Sequence, residues 1–334
     1  MLTQRGTFMK SVLLTVLLVA NVAAQASFDL MLIPDANGAV QRFDPVNGAY
    51  LGFFAQGSLA QAVDYSPTSK KAYIYNEPGR IYTYNHSTGE RTSTLSGNAT
   101  IDAFAVDSSA TYGWTYIPGQ STMARYNLQG GKVDVVMPAG ISSVSRIIRA
   151  SANRMVAIGF NLAGDMVAFA FTGNSNSAAS ETVATLASAS TLLAGQTIGQ
   201  PANYAVDNYT FMYRNNTNEL RRANFLINGS GALVSPSTTL VSTSLTFGNT
   251  VIPNLVSAHD GYYAIGASSA DPTLATIAEF DGSTRFMRMI DTPIKVRSGH
   301  WTPSIVLAPE PTSLVLLATG LGMVTRRRTK RTEK

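Results

Sequence analysis

Four aspartates stand in similar surroundings along this chain. Asp64 follows Ala62-Val63, Asp107 follows Ala105-Val106, Asp207 follows Ala205-Val206, and Asp260 follows Ala258-His259. Carboxylate oxygens are hard ligands, so several of them converging on one mouth would hold Ca²⁺ or bind sugar hydroxyls. A carboxylate that recurs once per repeating unit also has a structural reading. In the turn after a strand it accepts hydrogen bonds from nearby backbone N–H or hydroxyl groups. A ligand site needs one asymmetric cluster whereas a fold device recurs, so the structural reading is preferred.

Other reactive groups are sparse. The absence of cysteine excludes disulfides, thiolate nucleophiles and cysteine metal sites. The histidines are His86, His259 and His300, and none belongs to an HExxH motif or a close pair. His86 is expected in a solvated turn. No catalytic residue and no metal centre is assigned, and Ca²⁺ is the one cofactor the carboxylates would suit. An enzyme acting on glycans through carboxylates gathered around an axis is the alternative to a non-catalytic role. Tyr73, Tyr75, Tyr82, Tyr84, Trp114 and Tyr116 add a further option. Alternation along strands turns half of them toward a neighbouring layer, and ordinary packing between sheets is the preferred reading for each, while any left on a rim would stack on sugars or touch another protein.

These residues are positioned by a repeated unit. Asp64 leads into Ala72 to Asn76, Arg80 to Asn85 and the turn at Ser87-Thr88-Gly89. Asp107 leads into Gly113 to Tyr116, Met123 to Asn127 and Gly130-Gly131, and Asp207 into Thr210 to Tyr213, Ala223 to Ile227 and Asn228 to Gly231. Weaker copies follow Asp260 and fill residues 147–171, and a partial first copy spans Leu30 to Phe54. Gly48 and Gly89 are 41 residues apart, Asp64 and Asp107 43. Short strands at such a period indicate radially repeated sheets. The expected fold is an all-β propeller of six blades, with seven as the neighbouring count and a pair of β-sandwiches as the other architecture. The partial first unit is expected to be completed by a C-terminal segment near Ile294 to Val306. Asp281-Gly282 and Asp35-Ala36-Asn37-Gly38 are expected to be turns. The aromatic strand followed by Asn or Asp and a Gly turn resembles extracellular propellers and quinoprotein-like or WD40-like repeats in general, without their WD dipeptide.

The two ends carry different information. Arg5 and Lys10 precede the apolar run Val12 to Ala20, and Ala24-Gln25-Ala26 offers small residues to signal peptidase, so residues 1–26 read as a signal peptide cleaved before Ser27. At the other end Pro309-Glu310-Pro311 is followed by an uncharged stretch from Thr312 to Thr325 and by Arg326-Arg327-Arg328. That stretch has 14 residues, against the ~17–25 of a durable membrane span. It suits a temporary handle, lengthened by snorkelling arginines and held by positive charge on the cytoplasmic side.

This arrangement resembles the PEP-CTERM sorting signal of Gram-negative bacteria. The resemblance implies that Pro309, Glu310 and Pro311 form the recognition triplet of an exosortase, that Leu314 to Val324 form the hydrophobic segment, and that Arg326, Arg327 and Arg328 form the basic stop. It further implies passage through the inner membrane to the cell surface or matrix, with extracellular polysaccharide or envelope proteins as partners. The chain then divides into a signal peptide at 1–26, a propeller body at 27–308 and a sorting segment at 309–334.

The division also explains the charge. The whole chain is formally +5, yet residues 27–308 hold 17 Lys plus Arg against 18 Asp plus Glu. The basicity belongs to the ends, so the body lacks the cationic character of a nucleic-acid binder.

Overall fold

In the computed structural model, the described residues run from 29 to 309, less 36, 45–48, 57–58, 77–78, 87, 97–100, 151–152, 195, 197, 200, 206–207, 229–232, 241–253, 259–260, 282–284 and 296–305. Residues Met31–Ala308 form one compact unit. The signal-peptide segment lies outside the described residues, as do Glu310, Pro311 and Arg326 to Arg328.

The described residues form six four-stranded antiparallel sheets. Sheet 1 holds β1 (Asp29–Pro34), β2 (Val40–Phe43) and β3 (Tyr50–Ala55). Sheet 2 comprises β4 (Ala60–Ser66), β5 (Lys71–Asn76), β6 (Arg80–Asn85) and β7 (Arg91–Ser96). Sheet 3 comprises β8 (Ala103–Val106), β9 (Tyr112–Tyr116), β10 (Thr122–Asn127) and β11 (Lys132–Val136). Sheet 4 comprises β12 (Ile141–Arg149), β13 (Arg154–Asn161), β14 (Met166–Thr172) and β15 (Val183–Ala187). Sheet 5 comprises β16 (Ala202–Ala205), β17 (Asn208–Arg214), β18 (Leu220–Ile227) and β19 (Leu233–Leu240). Sheet 6 comprises β20 (Asn254–Ala258), β21 (Gly261–Ala267), β22 (Leu274–Asp281) and β23 (Phe286–Lys295). The last strand, β24 (Val306–Pro309), returns to sheet 1, whose order is β24-β1-β2-β3.

Apolar side chains tie each sheet to the next. Val40 packs with Val63 and Ile74 between sheets 1 and 2, and Tyr75 with Phe104 and Tyr126 between sheets 2 and 3. Trp114 packs with Phe169 and Phe171 between sheets 3 and 4, and Val156 and Ile158 with Phe211 and Phe225 between sheets 4 and 5. Met212 joins Tyr262 and Phe280 between sheets 5 and 6. A further cluster brings Tyr263 and Ile277 of sheet 6 onto Ile33 and Phe43 of sheet 1. The sheets therefore pack face to face in chain order and return to the start, which is a β-propeller arrangement and not a pair of sandwiches. Contacts of β4 with β8, β8 with β12, and β16 with β20 place the first strands on the inner side.

This packing explains the burial patterns. A sheet between two neighbours is covered on both faces, so β14 is buried at six consecutive residues, Met166 to Phe171. Outer strands reach solvent and alternate, as β23 does along most of its length. Each large side chain removed from water contributes roughly 1.5–3 kcal/mol.

Asn and Asp after strands do local work. Asp35 Oδ1 accepts from the backbone N–H groups of Asn37 and Ala39 at 2.8 and 2.9 Å, Asn127 Oδ1 from Gln129 at 2.9 Å, and Asp281 Oδ1 from Arg285 at 2.8 Å. Asp35 thus sits in the turn expected for it, whereas Asp281 is the last residue of β22 and Gly282 lies outside the described residues. Gly38 in the Asp35 turn has φ +74°, and a Cβ there would strike the backbone of Leu59, so the turn requires glycine.

Two boundaries differ from expectation. Ile294 belongs to β23, whose ten residues extend the outer edge of sheet 6. The strand that completes sheet 1 starts at Val306 and runs through Pro309, so the sheet includes the first proline of the terminal triplet.

Candidate functional site

Asp107 is fully buried at the start of the turn between β8 and β9. Its Oδ1 accepts from the backbone N–H groups of Thr111 and Tyr112 at 2.8 and 2.7 Å. Its Oδ2 accepts from the Ser109 N–H at 3.3 Å and from the Ser109 hydroxyl. Four donors on one carboxylate leave it no capacity for a metal or a sugar. Asp107→Ala should cost about 1–3 kcal/mol, because buried amides would lose their acceptor. Denaturant titration checks this, and an unchanged midpoint would contradict the structural role.

Asp64 lies two positions earlier in its sheet's register. It stands opposite Tyr73 within the β4–β5 ladder, whereas the Asp107 N–H already bonds the Tyr112 carbonyl at the turn. Ser66 holds the place equivalent to Asp107, its Oγ accepting from the Ser69 N–H at 3.3 Å. The two aspartates are therefore not copies of one position. Asp64 instead reaches its neighbours: Oδ2 accepts from the Val106 N–H of β8 at 2.7 Å, and Oδ1 from Arg149 Nη2 of β12 at 3.3 Å. The same Nη2 donates to the Tyr65 carbonyl at 2.8 Å, and the Tyr209 hydroxyl of β17 donates to the Arg149 carbonyl at 3.3 Å. One carboxylate and one guanidinium thus join sheets 2, 3 and 4 at the inner strands, and the backbone carbonyl of Arg149 extends the link to β17 of sheet 5. Asp207 and Asp260 lie outside the described residues, between β16 and β17 and between β20 and β21. Among the described residues, no three carboxylates or histidines gather closely enough to hold a metal ion.

A second polar group lies where sheet 6 packs on sheet 1. Arg288 Nε donates to Glu279 Oε2 at 2.5 Å, and Arg288 also hydrogen-bonds the Tyr263 phenol. Burial first, then the charge of Glu279, pushes that phenol up to about 12, with Asp44 acting in the same sense and Arg288 opposing. Tyr263 in the unfolded chain ionises near 10. Its contribution to stability is therefore intact below about pH 10 and lost as pH rises from there through about 12. Tyr263→Phe should flatten the alkaline loss of stability measured by denaturant titration across that window. An unchanged alkaline slope would contradict this role.

Packing decides several sequence expectations, overturning the one for His86. His86 is buried, with its ring 5.1 Å from Tyr65 of β4 and 6.0 Å from Phe54 of β3, because it packs on these two rings instead of projecting into water. Tyr73, Tyr75, Tyr82, Tyr84, Trp114 and Tyr116 are all buried, since both faces of the inner and middle strands are covered. Among the described residues the exposed large aromatics are Tyr50 and Phe53, which sequence reasoning did not single out. Arg149 was also missed; the available signal was two arginines, Arg146 and Arg149, in the otherwise uncharged β12. Arg146 is buried, and desolvation lowers its guanidinium to about 10, leaving it charged at neutral pH. Among the described residues no helix is long and apolar enough to cross a membrane.

No protein-family model and no curated protein matches the chain. Solved structures do. Hydrazine synthase of Kuenenia stuttgartiensis superposes with a TM-score of 0.54 at 8% identity, over 83% of this chain and 94% of that one. The dihydro-heme d1 dehydrogenase NirN, in complex with DHE, gives 0.45 at 14% identity, over 82% of this chain and 56% of that one. The β-propeller domain of Cps50 (Swd1) from Myceliophteria thermophila gives 0.44 at 14% identity, over 76% and 95%. At 8% identity, the likeness to the hydrazine synthase chain concerns the fold alone.

Proposed function

We propose that this chain is an exported, surface- or matrix-associated interaction protein whose body is a six-bladed propeller without a catalytic role. It is led out by the signal peptide at 1–26, held briefly at the inner membrane by its C-terminal segment, processed by an exosortase, and partnered by extracellular polysaccharide or envelope proteins. The observation that carries this reading is the order of residues at the C-terminus. Pro309-Glu310-Pro311 begins on the last residue of the strand that completes sheet 1, and an uncharged run and three arginines come next. The six sheets and the six apolar seams among the described residues support the blade count. The engagement of Asp64 and Asp107 in cross-sheet and turn hydrogen bonds supports a non-catalytic body.

Cell fractionation in a Gram-negative host with and without an exosortase tests routing. The full chain is expected in the inner membrane without the enzyme and outside the cell with it. A chain ending at Pro309 should leave the membrane fraction in both hosts. Membrane retention unchanged by that truncation would overturn the reading.

A further inference from the structure

Strand β3 is the outer edge of sheet 1, and Tyr50 and Phe53 on it are each 44% exposed. Two irregularities in its pairing with β2 decide where they point. Phe43 stands opposite Tyr50, Arg42 opposite Gly52 and Gln41 opposite Phe53, with Leu51 as the extra residue. Gln41 and Phe43 share a face by strand alternation, so Tyr50 and Phe53 share it as well, one two-residue step (about 7 Å) apart. Without the bulge at Leu51 they would lie on opposite faces.

That face is turned to sheet 6. Phe43 packs in the seam with Tyr263 and Ile277, and the Tyr50 ring lies 5.5 Å from that of Phe43. Polar groups of both signs flank it. The Tyr50 hydroxyl donates to Gln41 Oε1 at 2.8 Å, and Gln41 Nε2 donates to Asp35 Oδ2 at 2.5 Å. Across the seam, Tyr263 feels the charges of Asp44, Glu279 and Arg288.

We propose that this strip binds a neutral glycan chain, with Tyr50 and Phe53 stacking on the C–H faces of its sugar rings and the flanking carboxylates and arginine hydrogen-bonding its hydroxyls. The inference rests on the polysaccharide partner proposed above and names where it would bind. Two bulges twist the edge, and Arg42 Nη2 donates to the Leu51 carbonyl at 3.3 Å, both of which oppose strand addition by a second copy. A wholly apolar partner would strip water from the Arg288–Glu279 pair, whose side chains are 40% and 29% exposed. An acidic polymer would meet Asp35, Asp44 and Glu279. A neutral, hydroxyl-rich chain avoids both penalties.

The test is calorimetric titration of the full-length chain with three probes: a soluble neutral glucan, polygalacturonate, and polysaccharide extracted from the producing cells. The wild type should bind the glucan and the extract more tightly than polygalacturonate. Tyr50→Ala/Phe53→Ala should weaken binding about tenfold, with Phe53→Tyr retaining it and all variants unfolding at the same denaturant concentration. Equal binding of the extract by wild type and double variant would overturn this site while leaving a polysaccharide partner in place. No binding of the extract by the wild type would overturn the partner as well. A double substitution that changed only the oligomeric state would assign the strip to a second copy and overturn the proposal.

Discussion

Trp114→Ala should destabilise the body by about 3–5 kcal/mol, the range for deleting a large buried aromatic. Trp114 is fully buried on β9. Its ring meets Phe171 of the next sheet edge-on, with centroids 4.7 Å apart, and its Nε1–H donates to the Gly173 carbonyl at 2.9 Å. The residue thus fills the seam between sheets 3 and 4 and also holds the loop after β14. That loop is tied down a second time by Arg125, whose Nη1 donates to the Ser175 carbonyl and Nη2 to Asn176 Oδ1, both at 2.8 Å. Trp114→Phe keeps most of the packing and forfeits the hydrogen bond, for an expected loss of about 1–3 kcal/mol. Denaturant unfolding of both variants separates the two contributions. A loss below about 1 kcal/mol for the Ala variant would show that the seam is not a packed core.

A chain ending at Ile305 should be less stable than one ending at Pro309 by about 2–4 kcal/mol, from the lost ladder hydrogen bonds to β1. Only the longer chain retains β24, which stands beside β1 in the order of sheet 1. Without it the inner edge of β1 presents unpaired N–H and C=O groups, and the last strand of the chain no longer ties down the first. Thermal unfolding and limited proteolysis of the two truncations measure the difference. Equal stability would mean that the sheet is complete without its C-terminal strand. This result also bears on processing, since cleavage after Pro309 spares the body and cleavage before Val306 damages it.

The repeating sheets were legible because turn chemistry and apolar runs are local. The Asn and Asp side chains that cap turns, and apolar stretches such as Met166 to Phe171, announce themselves within a few residues. The cross-sheet contacts were not legible. Arg149 and Asp64 are 85 positions apart, so no spacing rule connects them. The resemblance between Asp64 and Asp107 was misleading for a related reason: an identical local triplet can occupy a ladder in one sheet and a turn in another, and only the pairing of Asp64 with Tyr73 distinguishes them. Exposure of Tyr50 and Phe53 depends on extra residues in β3, which simple alternation does not anticipate.

Routing by the C-terminal segment is tested most directly by the intact mass of the protein recovered from outside exosortase-bearing cells. Export and processing predict a chain that begins at Ser27, retains Val306 to Pro309 and lacks Arg326, Arg327 and Arg328. Recovery of the extracellular protein with those three arginines still attached would contradict it.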